Sequence, residues 1–394
     1  MKTNSRRVAA SIFARWLITK EFPAALLPTG PDRAFVQDLV YTAIRRLRPL
    51  RRILGEFVKK WPKGEMEALL YIGAAQLMYM PGVADYAAVN ETVAAARESL
   101  NMNVPKLVNA VLRNLIRRRE EMRLLIAAAP VEIRESFPNV LYRRWTARFG
   151  AADTERLCVW HNQPAETFLA RKPGDRFEKL PRGVRVEDVE GFASGDFIVQ
   201  DPGTRLAVAL MDAQPGEEIL DLCAAPGGKT VQLAWRGAAV TACEVNPKRR
   251  ARLAENLARL KLADVAVIGE PPARTFRKVL VDAPCSNTGV LRRRPDARWG
   301  WSEEKMMSLV RLQAEILDVA AARVEPGGRL VYSTCSNEPE ENQEQVAAFL
   351  ARHPEFTRVD EKESIPFDSG CDGAFAAALR RVGGGLAAVG GSAE

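Results

Sequence analysis

One stretch decides the fold: Glu218-Ile-Leu-Asp221-Leu-Cys223-Ala224-Ala225-Pro226-Gly227-Gly228-Lys229-Thr230. Residues 218–222 have the composition of a short buried strand, Pro226 and the glycines break it, and a helix is predicted from 231 to 235. A strand, a glycine loop and a helix form the first unit of a doubly wound sheet, which binds ligands at the carboxyl ends of its strands. The glycines let the backbone approach a ligand closely, and the helix start presents free N–H groups. The alternative at this point is a turn that only connects strand to helix.

The loop matches neither the G-x-x-x-x-G-K-[ST] phosphate loop nor the G-x-G-x-x-G dinucleotide loop. Glu244 follows about twenty residues after Asp221, at the end of the next predicted strand. A carboxylate there can accept hydrogen bonds from two ribose hydroxyls, although it could also serve only to cap the next helix. Since the loop offers no phosphate site, the pattern favours S-adenosylmethionine over a dinucleotide.

The rest of this half of the chain alternates between the two periodicities, which predicts an α/β sheet. Strands are predicted over 197–201, 218–222, 239–245, 264–268, 278–281 and 329–332, and helices over 204–211, 231–235, 247–260, 302–323 and 342–352. Four of these strands end on polar residues: Asp221, Glu244, Asp282 and the Thr334-Cys335 pair. We therefore expect a ligand crevice along one edge of the sheet.

Two cysteines follow buried strands on that same side, in Asp282-Ala-Pro-Cys285-Ser and in Ser333-Thr-Cys335-Ser. A single buried cysteine is usually a small core residue. Two cysteines at equivalent strand ends, each flanked by small polar residues, indicate thiol chemistry instead.

Bulk properties narrow the class of protein. The chain has 394 residues, a formal net charge of +8, six cysteines without a C-x-x-C pair, and two histidines. These numbers favour two or three domains and a polyanionic partner, and they argue against a disulfide framework, a zinc cluster or a Ser-His-Asp triad. No stretch approaches the ~20 apolar residues of a membrane span, and Arg15 and Lys20 interrupt any signal-peptide core. We expect a cytoplasmic protein without metal.

The chain is predicted to divide into five parts. Residues 1–125 have the pattern of an all-α domain, 126–150 of a helical connector, 151–196 of a small α+β subdomain with strands over 166–171 and 184–189, 197–382 of the α/β domain, and 383–394 of a flexible glycine-rich tail. The basic segments 45–52 and 117–119 fit either solvated helix faces or contacts to RNA phosphates.

The N-terminal region resembles the NusB-like RNA-binding domain. The resemblance rests on Ala87-Ala-Val-Asn90-Glu91-Thr-Val93 and Lys106-Leu-Val-Asn109-Ala-Val-Leu112, and it covers roughly residues 5–120. It implies an RNA partner.

Residues 150–382 resemble the RNA cytosine-5 methyltransferases, through the loop at 221–230, Asp282-Ala-Pro-Cys285-Ser with Thr288-Gly289, and Ser333-Thr-Cys335-Ser with Pro339-Glu-Glu-Asn342. The resemblance implies a Rossmann-like core that uses S-adenosylmethionine. It implies that Cys335 is the nucleophile that adds to C6 of cytosine, that Cys285 assists release, and that Asp282 has an acid–base role. With the NusB-like start, the whole chain resembles bacterial enzymes that act on 16S rRNA.

The resemblance also supplies the expected binding residues. Cofactor contacts are expected from Cys223, Ala224, Ala225, Pro226, Gly227, Gly228, Lys229, Glu244, Glu270 and Asp282. Glu270 stands where the family usually has an aspartate that contacts adenine. The loop that follows Asp282-Ala-Pro-Cys285-Ser is expected to bind single-stranded RNA through Arg292, Arg293, Arg294 and Trp299, or else to be a solvated loop.

Several functions stay open. The leading prediction is a monomeric methyltransferase that acts on 16S rRNA or on a small-subunit assembly intermediate. The alternatives are methylation of tRNA or of another rRNA cytosine by the same chemistry, and a non-catalytic RNA-binding or assembly factor. A DNA cytosine methyltransferase is disfavoured. The nucleophile of those enzymes is a cysteine after proline, at the position of Pro284-Cys285 here, and they need no second cysteine such as Cys335.

Overall fold

The computed structural model describes residues 4–98, 103–174 and 176–383. It forms two compact units. The first comprises residues 1–163 and 291–300, and the second comprises 164–290 and 301–394. Residues 291–300 are therefore an excursion from the second stretch of chain into the first unit.

Helices build the first unit. They are α1 Ser5–Thr19, α2 Arg33–Arg45, α3 Leu47–Gly55, α4 Glu65–Tyr79, α5 Asp85–Arg97, α6 Asn103–Arg117, α7 Arg119–Ala127, α8 Val131–Arg134 and α9 Asn139–Asn162. Later in the chain lie α10 Arg205–Met211, α11 Gly228–Trp235, α12 Pro247–Arg259, α13 Ala297–Gly300, α14 Glu303–Ala321, α15 Gln343–Arg352 and α16 Pro366–Ser369. Of these, α13 belongs to the first unit and the others belong to the second. Apolar residues at helical spacing, such as Ile12 and Trp16 of α1, bury into one core.

The first unit ends later than the expected domain border. Helix α9 continues through a kink at Gly150, whose φ is 80°, and reaches Asn162. Residues 151–162 are therefore helical rather than part of a small α+β subdomain. Glycine adopts a positive φ without strain, so Gly150 interrupts the helical pattern in the sequence. The helix nevertheless resumes beyond the kink.

The basic segment 45–52 is used mainly inside the first unit. Arg46 pairs with Glu135 at 3.3 Å, Arg51 with Glu67 at 3.6 Å and Arg52 with Glu56 at 3.0 Å. Arg48 donates to the side chain of Asn139 at 2.6 Å. The interpretation of these arginines as structural residues fits the contacts better than RNA binding does.

The second unit holds two sheets. The strands are β1 Phe168–Arg171, β2 Arg176–Lys179, β3 Phe197–Val199, β4 Glu218–Leu222, β5 Ala239–Cys243, β6 Ala266–Ile268, β7 Phe276–Asp282, β8 Val324–Thr334, β9 Phe356–Ser364 and β10 Ala374–Arg381. The small sheet has the order β2-β1-β3, and the large one β6-β5-β4-β7-β8-β10-β9.

The small sheet differs from its prediction. The strand expected over 184–189 is wrong, since Val186–Asp188 is a 3-10 turn whose residues are not buried. Strand β3 instead completes the sheet by pairing with β1, so the sheet crosses the expected border at 196.

The large sheet is parallel from β6 to β8, and β10 and β9 run antiparallel at its end. From β4 the chain moves through β5 to β6 on one side, then returns to β7 on the other side of β4. The carboxyl ends of β4 and β7 thus flank the point where strand order reverses, which is where open α/β sheets bind ligands.

The parallel strands agree with the sequence to within a few residues, and β4 agrees at both ends. Strands β9 and β10 are absent from the prediction. Strand β10 is rich in alanine, which favours helix, but pairing with β8 and β9 on both sides overrides that preference. Residues 384–394 of the predicted tail lie outside the described residues. None of the described helices has the length and apolar character that crossing a membrane requires.

Candidate active site

The carboxyl ends of four parallel strands bring the predicted polar residues to one edge. Asp221 lies within β4, Glu244 directly after β5, Asp282 at the end of β7 and Cys335 directly after β8. The crevice expected from the sequence is formed by the second unit alone.

The glycine loop has a backbone conformation at Gly227 that favours glycine. Gly227 has a φ of 107°, and a Cβ there would lie 2.7 Å from Cδ1 of Leu253. At Gly228 a Cβ would lie 2.8 Å from Nε2 of Gln200. Cys223 adopts a φ of 61°, which is uncommon for a residue with a side chain. These positions let the loop fold back tightly between β4 and α11.

Asp221 is buried under this loop. Oδ2 accepts a hydrogen bond from the hydroxyl of Thr230 at 2.5 Å, and Oδ1 is buried with no hydrogen-bond partner among the described residues. Burial raises the pKa of Asp221 to about 7, and the nearby charges of Asp282 and Glu244 act in the same direction. The buried carboxyl of Asp221 thus holds the end of the glycine loop through its hydrogen bond with Thr230.

Glu244 lies in the wall of a cavity of about 480 Å³. Its side chain is 2% exposed. Oε1 accepts from the backbone N–H of Asn246 at 2.9 Å, and Oε2 lies 3.3 Å from Nη2 of Arg249. The other walls include Cys223, Pro271 and Ile316. A buried acid beside apolar walls is the arrangement that a nucleoside requires, with the ribose on the acid and the base between the apolar groups.

These residues fit S-adenosylmethionine. Among the described residues the cavity is lined mostly by apolar groups, with the carboxylates of Glu244 and Glu315 and the single cation Arg249, which does not make a phosphate site. Cys223 lines the cavity, whereas Glu270 is exposed and does not. Its neighbour Pro271 occupies the wall instead, so the predicted contact of Glu270 with adenine gains no support from the cavity.

Lys229 connects the glycine loop to the end of β7. Its ammonium lies 2.6 Å from Oδ2 of Asp282, while Oδ1 of Asp282 accepts from the hydroxyl of Ser333 at 3.0 Å. Burial lowers the pKa of Lys229, but the charge of Asp282, together with Cys335 and Asp221, outweighs burial and leaves that pKa raised. A cation is therefore held between the carboxylate and the nearest thiol.

The two cysteine sulfurs lie 3.3 Å apart. Cys335 is half-buried and also contacts Oδ1 of Asn287 at 3.4 Å, whereas Cys285 is 8% exposed. The hydrogen bond to Cys335, followed by burial, raises the pKa of Cys285 well above that of an ordinary thiol. Cys285 is thus held protonated, as a donor to the sulfur of Cys335. Burial also raises the pKa of the Cys223 thiol, to about 12.

Glu341 joins the two cysteine loops and was not singled out by the sequence analysis. It is fully buried, and it accepts hydrogen bonds from the backbone N–H of Ser286 at 2.8 Å and from the hydroxyl of Ser336 at 2.5 Å. The Ser286 hydroxyl donates to it as well, and Gln313 of α14 donates at 3.1 Å. The serine that follows each cysteine is therefore bound to one carboxylate. The signal was the Pro339-Glu-Glu-Asn342 segment, which the resemblance named without a role.

Backbone hydrogen bonds connect Cys335, Gly289 and Gly373. Gly289 donates to the carbonyl of Cys335 at 3.0 Å, and Gly373 donates to the carbonyl of Gly289 at 2.9 Å. A Cβ at Gly289 would lie 2.7 Å from the carbonyl oxygen of Gly373. A small cavity of about 60 Å³ lies here, lined by Lys229, Cys335 and Asp372 among others.

The arginine-rich loop, residues 291–300, makes contacts within the first unit. It forms part of the first unit, where the Arg292 side chain is 2% exposed and its guanidinium lies 4.2 Å from the ring centre of Trp160. Arg294 pairs with Asp296 at 2.9 Å, and the Trp299 indole donates to the carbonyl of Ile44 at 3.0 Å. Arg293 is half-buried. Arg292, Arg294 and Trp299 thus have contacts within the first unit, and RNA binding by this loop stays a prediction.

Comparisons with known proteins agree with this architecture. Residues 208–379 match the family described as 16S rRNA methyltransferase RsmB/F, and residues 3–117 match the NusB family. The chain is 32% identical to ribosomal RNA small subunit methyltransferase B of Yersinia pseudotuberculosis serotype O:1b (strain IP 31758), over 95% of this chain and 98% of that protein.

Two solved structures share the fold. The crystal structure of PH0851 covers 97% of this chain and 100% of its own, with a TM-score of 0.76 and 22% identity. A methyltransferase homologue from Pyrococcus horikoshii covers 64% of this chain and 98% of its own, with a TM-score of 0.56 and 20% identity.

Proposed function

This chain belongs to the RsmB/F family of S-adenosylmethionine-dependent rRNA methyltransferases, and we propose that it methylates C5 of one cytosine in 16S rRNA through a covalent adduct of Cys335. The observation that carries the proposal is the pair of sulfurs, Cys285 and Cys335, 3.3 Å apart at the ends of neighbouring parallel strands. A fold alone does not require two thiols at that point.

The donor is held by the glycine loop and Glu244. When bound, S-adenosylmethionine supplies the electrophilic methyl group that the cytosine receives at C5. The buried carboxylate of Glu244 would hold the ribose hydroxyls, and Cys223 of the loop lines the same cavity. Asp221 supports the loop through Thr230.

Cys335 activates the base. Cytosine C5 is a poor nucleophile, and addition of a thiolate to C6 converts C5 into the carbon of an enamine. Lys229 lines the same small cavity as Cys335, and the thiol of Cys285 can donate a hydrogen bond to the Cys335 sulfur, so both side chains are placed to assist the nucleophile. The proposal thus gives Lys229 and Cys285 each a part in assisting the nucleophile, whereas Oδ1 of Asn287 accepts from the Cys335 thiol at 3.4 Å until the proton leaves.

Asp282 acts on the polar edge of the base. It lies at the end of β7 with one oxygen on Lys229 and the other on Ser333. In protonated form it can deliver a proton to N3 while the Cys335–C6 bond forms, and as a carboxylate it can accept a hydrogen bond from N4. The partners hold the side chain in one orientation for either role.

Release reverses the addition. After methylation a water molecule accepts the C5 proton, the electrons of the C5–H bond form the C5–C6 double bond, and the Cys335–C6 bond breaks to leave a thiolate. Any proton delivered to N3 returns to the Asp282 carboxylate. Cys285 stays protonated because its pKa is raised, so its thiol can stabilise that departing thiolate by donating a hydrogen bond. This gives the second cysteine a role after transfer as well as before it.

The substrate must present an accessible cytosine. C5 and C6 of a base stacked in a duplex cannot be reached from a strand-end crevice, so the target is unpaired or flipped. The proposal places the protein in the cytoplasm, as a monomer acting on 16S rRNA or on a small-subunit assembly intermediate.

Mapping 5-methylcytosine in rRNA and tRNA tests the proposal. Deleting the gene should remove one methylated cytosine in 16S rRNA, and the intact gene should restore it. Loss of a tRNA or other rRNA site instead would favour that second substrate, to which the same two cysteines apply. An unchanged map would favour a non-catalytic assembly factor, which calorimetry with S-adenosylmethionine would then distinguish.

A further inference from the structure

Helix α14 forms one wall of the cavity of about 480 Å³ that contains Glu244. Four residues of α14 line it: Leu312, Glu315, Ile316 and Val319. They are spaced i, i+3, i+4 and i+7, so they share one face of the helix. Among these four, three are apolar and Glu315 alone is ionisable. The cavity thus contains a carboxylate that no step of the proposed mechanism uses.

The walls of this cavity expose apolar side chains. Leu312 is 40% exposed and Val319 is 41% exposed, and Val245, just after β5, is 65% exposed. Exposed apolar surface in a concave site is typical of a ligand pocket. A flat purine ring fits between such walls, but the polar groups on its edge still need hydrogen-bond partners once water is displaced. The polar side chains of the cavity therefore decide which base it accepts.

Most of those polar side chains are already engaged. Glu244 accepts from the backbone N–H of Asn246 and lies 3.3 Å from the Arg249 guanidinium. Oδ1 of Asn246 accepts from the backbone N–H groups of Lys248 and Arg249, and the side-chain groups that remain on Asn246 and Arg249 are donors. Glu315 is exposed, and within the described part of the chain no hydrogen bond or ion pair engages its carboxylate. Besides Glu244, it is the anionic acceptor that this wall offers to a ligand.

The acid that was expected to contact adenine is a different one. Glu270 follows β6 and is exposed, and the wall at that place is formed by Pro271. The proline ring can pack against a base, but it has neither an N–H group nor a polar side-chain atom. The acid expected from the sequence and the acid in the cavity wall therefore lie on different elements.

We propose that Glu315 of α14 accepts a hydrogen bond from the 6-amino group of the cofactor's adenine, and so selects adenine over a purine that lacks this group. The inference rests on the proposed function in taking S-adenosylmethionine as the methyl donor. It makes Glu315 a specificity residue that contacts the base of the cofactor and takes no part in the chemistry at Cys335.

Isothermal titration calorimetry on the full chain tests this with two small ligands, 5′-methylthioadenosine and its analogue with hydrogen in place of the 6-amino group. Both lack the amino-acid part of the cofactor, so the difference between them reports on the base. The unaltered protein should bind the amino compound about tenfold more tightly, because the analogue loses a hydrogen bond to a charged acceptor. Glu315→Ala should bind both with equal affinity. Glu315→Gln should have an intermediate preference, because a neutral amide oxygen is a weaker acceptor.

Glu270→Ala is the matched control, because it removes an exposed acid from the loop after β6 without changing the cavity wall. It should keep the preference of about tenfold. Glu315 lies at an exposed position of a helix, and alanine favours helix, so Glu315→Ala should fold normally, which urea unfolding checks. An unchanged unfolding curve would assign any lost preference to the contact with the base.

The outcomes separate this inference from the proposed function. An unaltered protein without preference, or a Glu315→Ala variant that keeps it, would overturn the inference, and loss of preference in Glu270→Ala would return the role to Glu270. If Glu315→Ala weakens binding of S-adenosylhomocysteine but not of 5′-methylthioadenosine, Glu315 contacts the amino-acid end, which overturns the inference too. If the unaltered protein binds neither S-adenosylmethionine nor S-adenosylhomocysteine, the proposed function fails, and the inference fails with it.

Discussion

Two loops at the ends of neighbouring strands carry one cysteine each, yet they give those cysteines different chemistry. The loop after β7 buries Cys285, raises its pKa and directs its thiol toward the partner sulfur. The loop after β8 leaves Cys335 half-buried and in the field of Lys229. Equivalent positions in a sheet therefore do not make equivalent thiols, since burial and hydrogen-bond direction decide which one is the donor and which the acceptor.

The largest effect is expected from Cys335→Ala. Without a nucleophile at C6 the base is not activated, so methyl transfer should fall by at least about a thousandfold. Incorporation of labelled methyl groups into 16S rRNA measures this. Cys371→Ser alters a half-buried thiol outside the proposed chemistry and should stay active. Substantial activity in Cys335→Ala would exchange the roles of the two loops.

Cys285→Ala should separate addition from release. The Cys335 adduct still forms, but the departing thiolate loses its hydrogen-bond donor, so turnover should fall about a hundredfold and protein–RNA adduct should accumulate. A denaturing gel detects that adduct as a shifted band. The double variant with Cys335→Ala is the matched control and should show no band. If Cys285→Ala turns over without an adduct, Cys285 has no part in release.

Glu341→Gln tests what aligns the two loops. Glutamine keeps the shape, but it presents an amide to donors from Ser286, Ser336 and Gln313, so kcat should fall about tenfold and the free energy of unfolding by about 1–3 kcal/mol. Affinity for S-adenosylmethionine should not change, because Glu341 is not part of the cofactor cavity. Glu344→Gln, on the exposed side of α15, is the control.

A readout that a purely structural role would not alter accompanies this variant. Misaligned sulfurs should slow alkylation of Cys335 by iodoacetamide. Normal kcat and normal alkylation in Glu341→Gln would show that the loops hold their alignment without this carboxylate.

Asp221→Asn should have the smallest effect on catalysis, and its effect should appear as a dependence of stability on pH. The pKa of Asp221 is raised to about 7 in the folded protein, against about 4 when unfolded. Between these values the folded state binds more protons, so this group lowers the free energy of unfolding as pH rises. The asparagine variant has no such titration. Between about pH 4 and about pH 7 its free energy of unfolding should therefore rise relative to that of the unaltered protein, by on the order of 1 kcal/mol per pH unit.

Urea unfolding from about pH 4 to about pH 8 measures that difference. Asp264→Asn, at an exposed site outside the loop, should run parallel to the unaltered protein. A constant difference between Asp221→Asn and the unaltered protein would mean that Asp221 is ionised in the folded state throughout this range.

The sequence predicted the catalytic half of the fold well, for a physical reason. Buried parallel strands appear as short apolar runs that end on polar residues, and the bounds of β4 were predicted without error. The charged, largely exposed β9 and the alanine-rich β10 were missed, because their partners in the sheet rather than their own preferences make them strands.

Arginine was the residue type that the sequence could interpret least. Arg292 and Arg298 are buried, and the Arg298 guanidinium lies 3.9 Å from the ring centre of Phe137, which is far away in the chain. The exposed Arg97 and Arg113 carry the same charge in the same unit. Burial depends on which distant residues a fold brings together, so composition cannot separate buried arginines from exposed ones.

The order of residues by itself determined the sheet, the glycine loop and the presence of two cysteines at its carboxyl edge, since these follow from local periodicity and steric requirements. The tertiary structure alone decided that the sulfurs meet at 3.3 Å, that Glu341 binds both loops, and that residues 291–300 belong to the helical unit. Each of those facts depends on contacts between segments far apart in the chain, which no local pattern specifies.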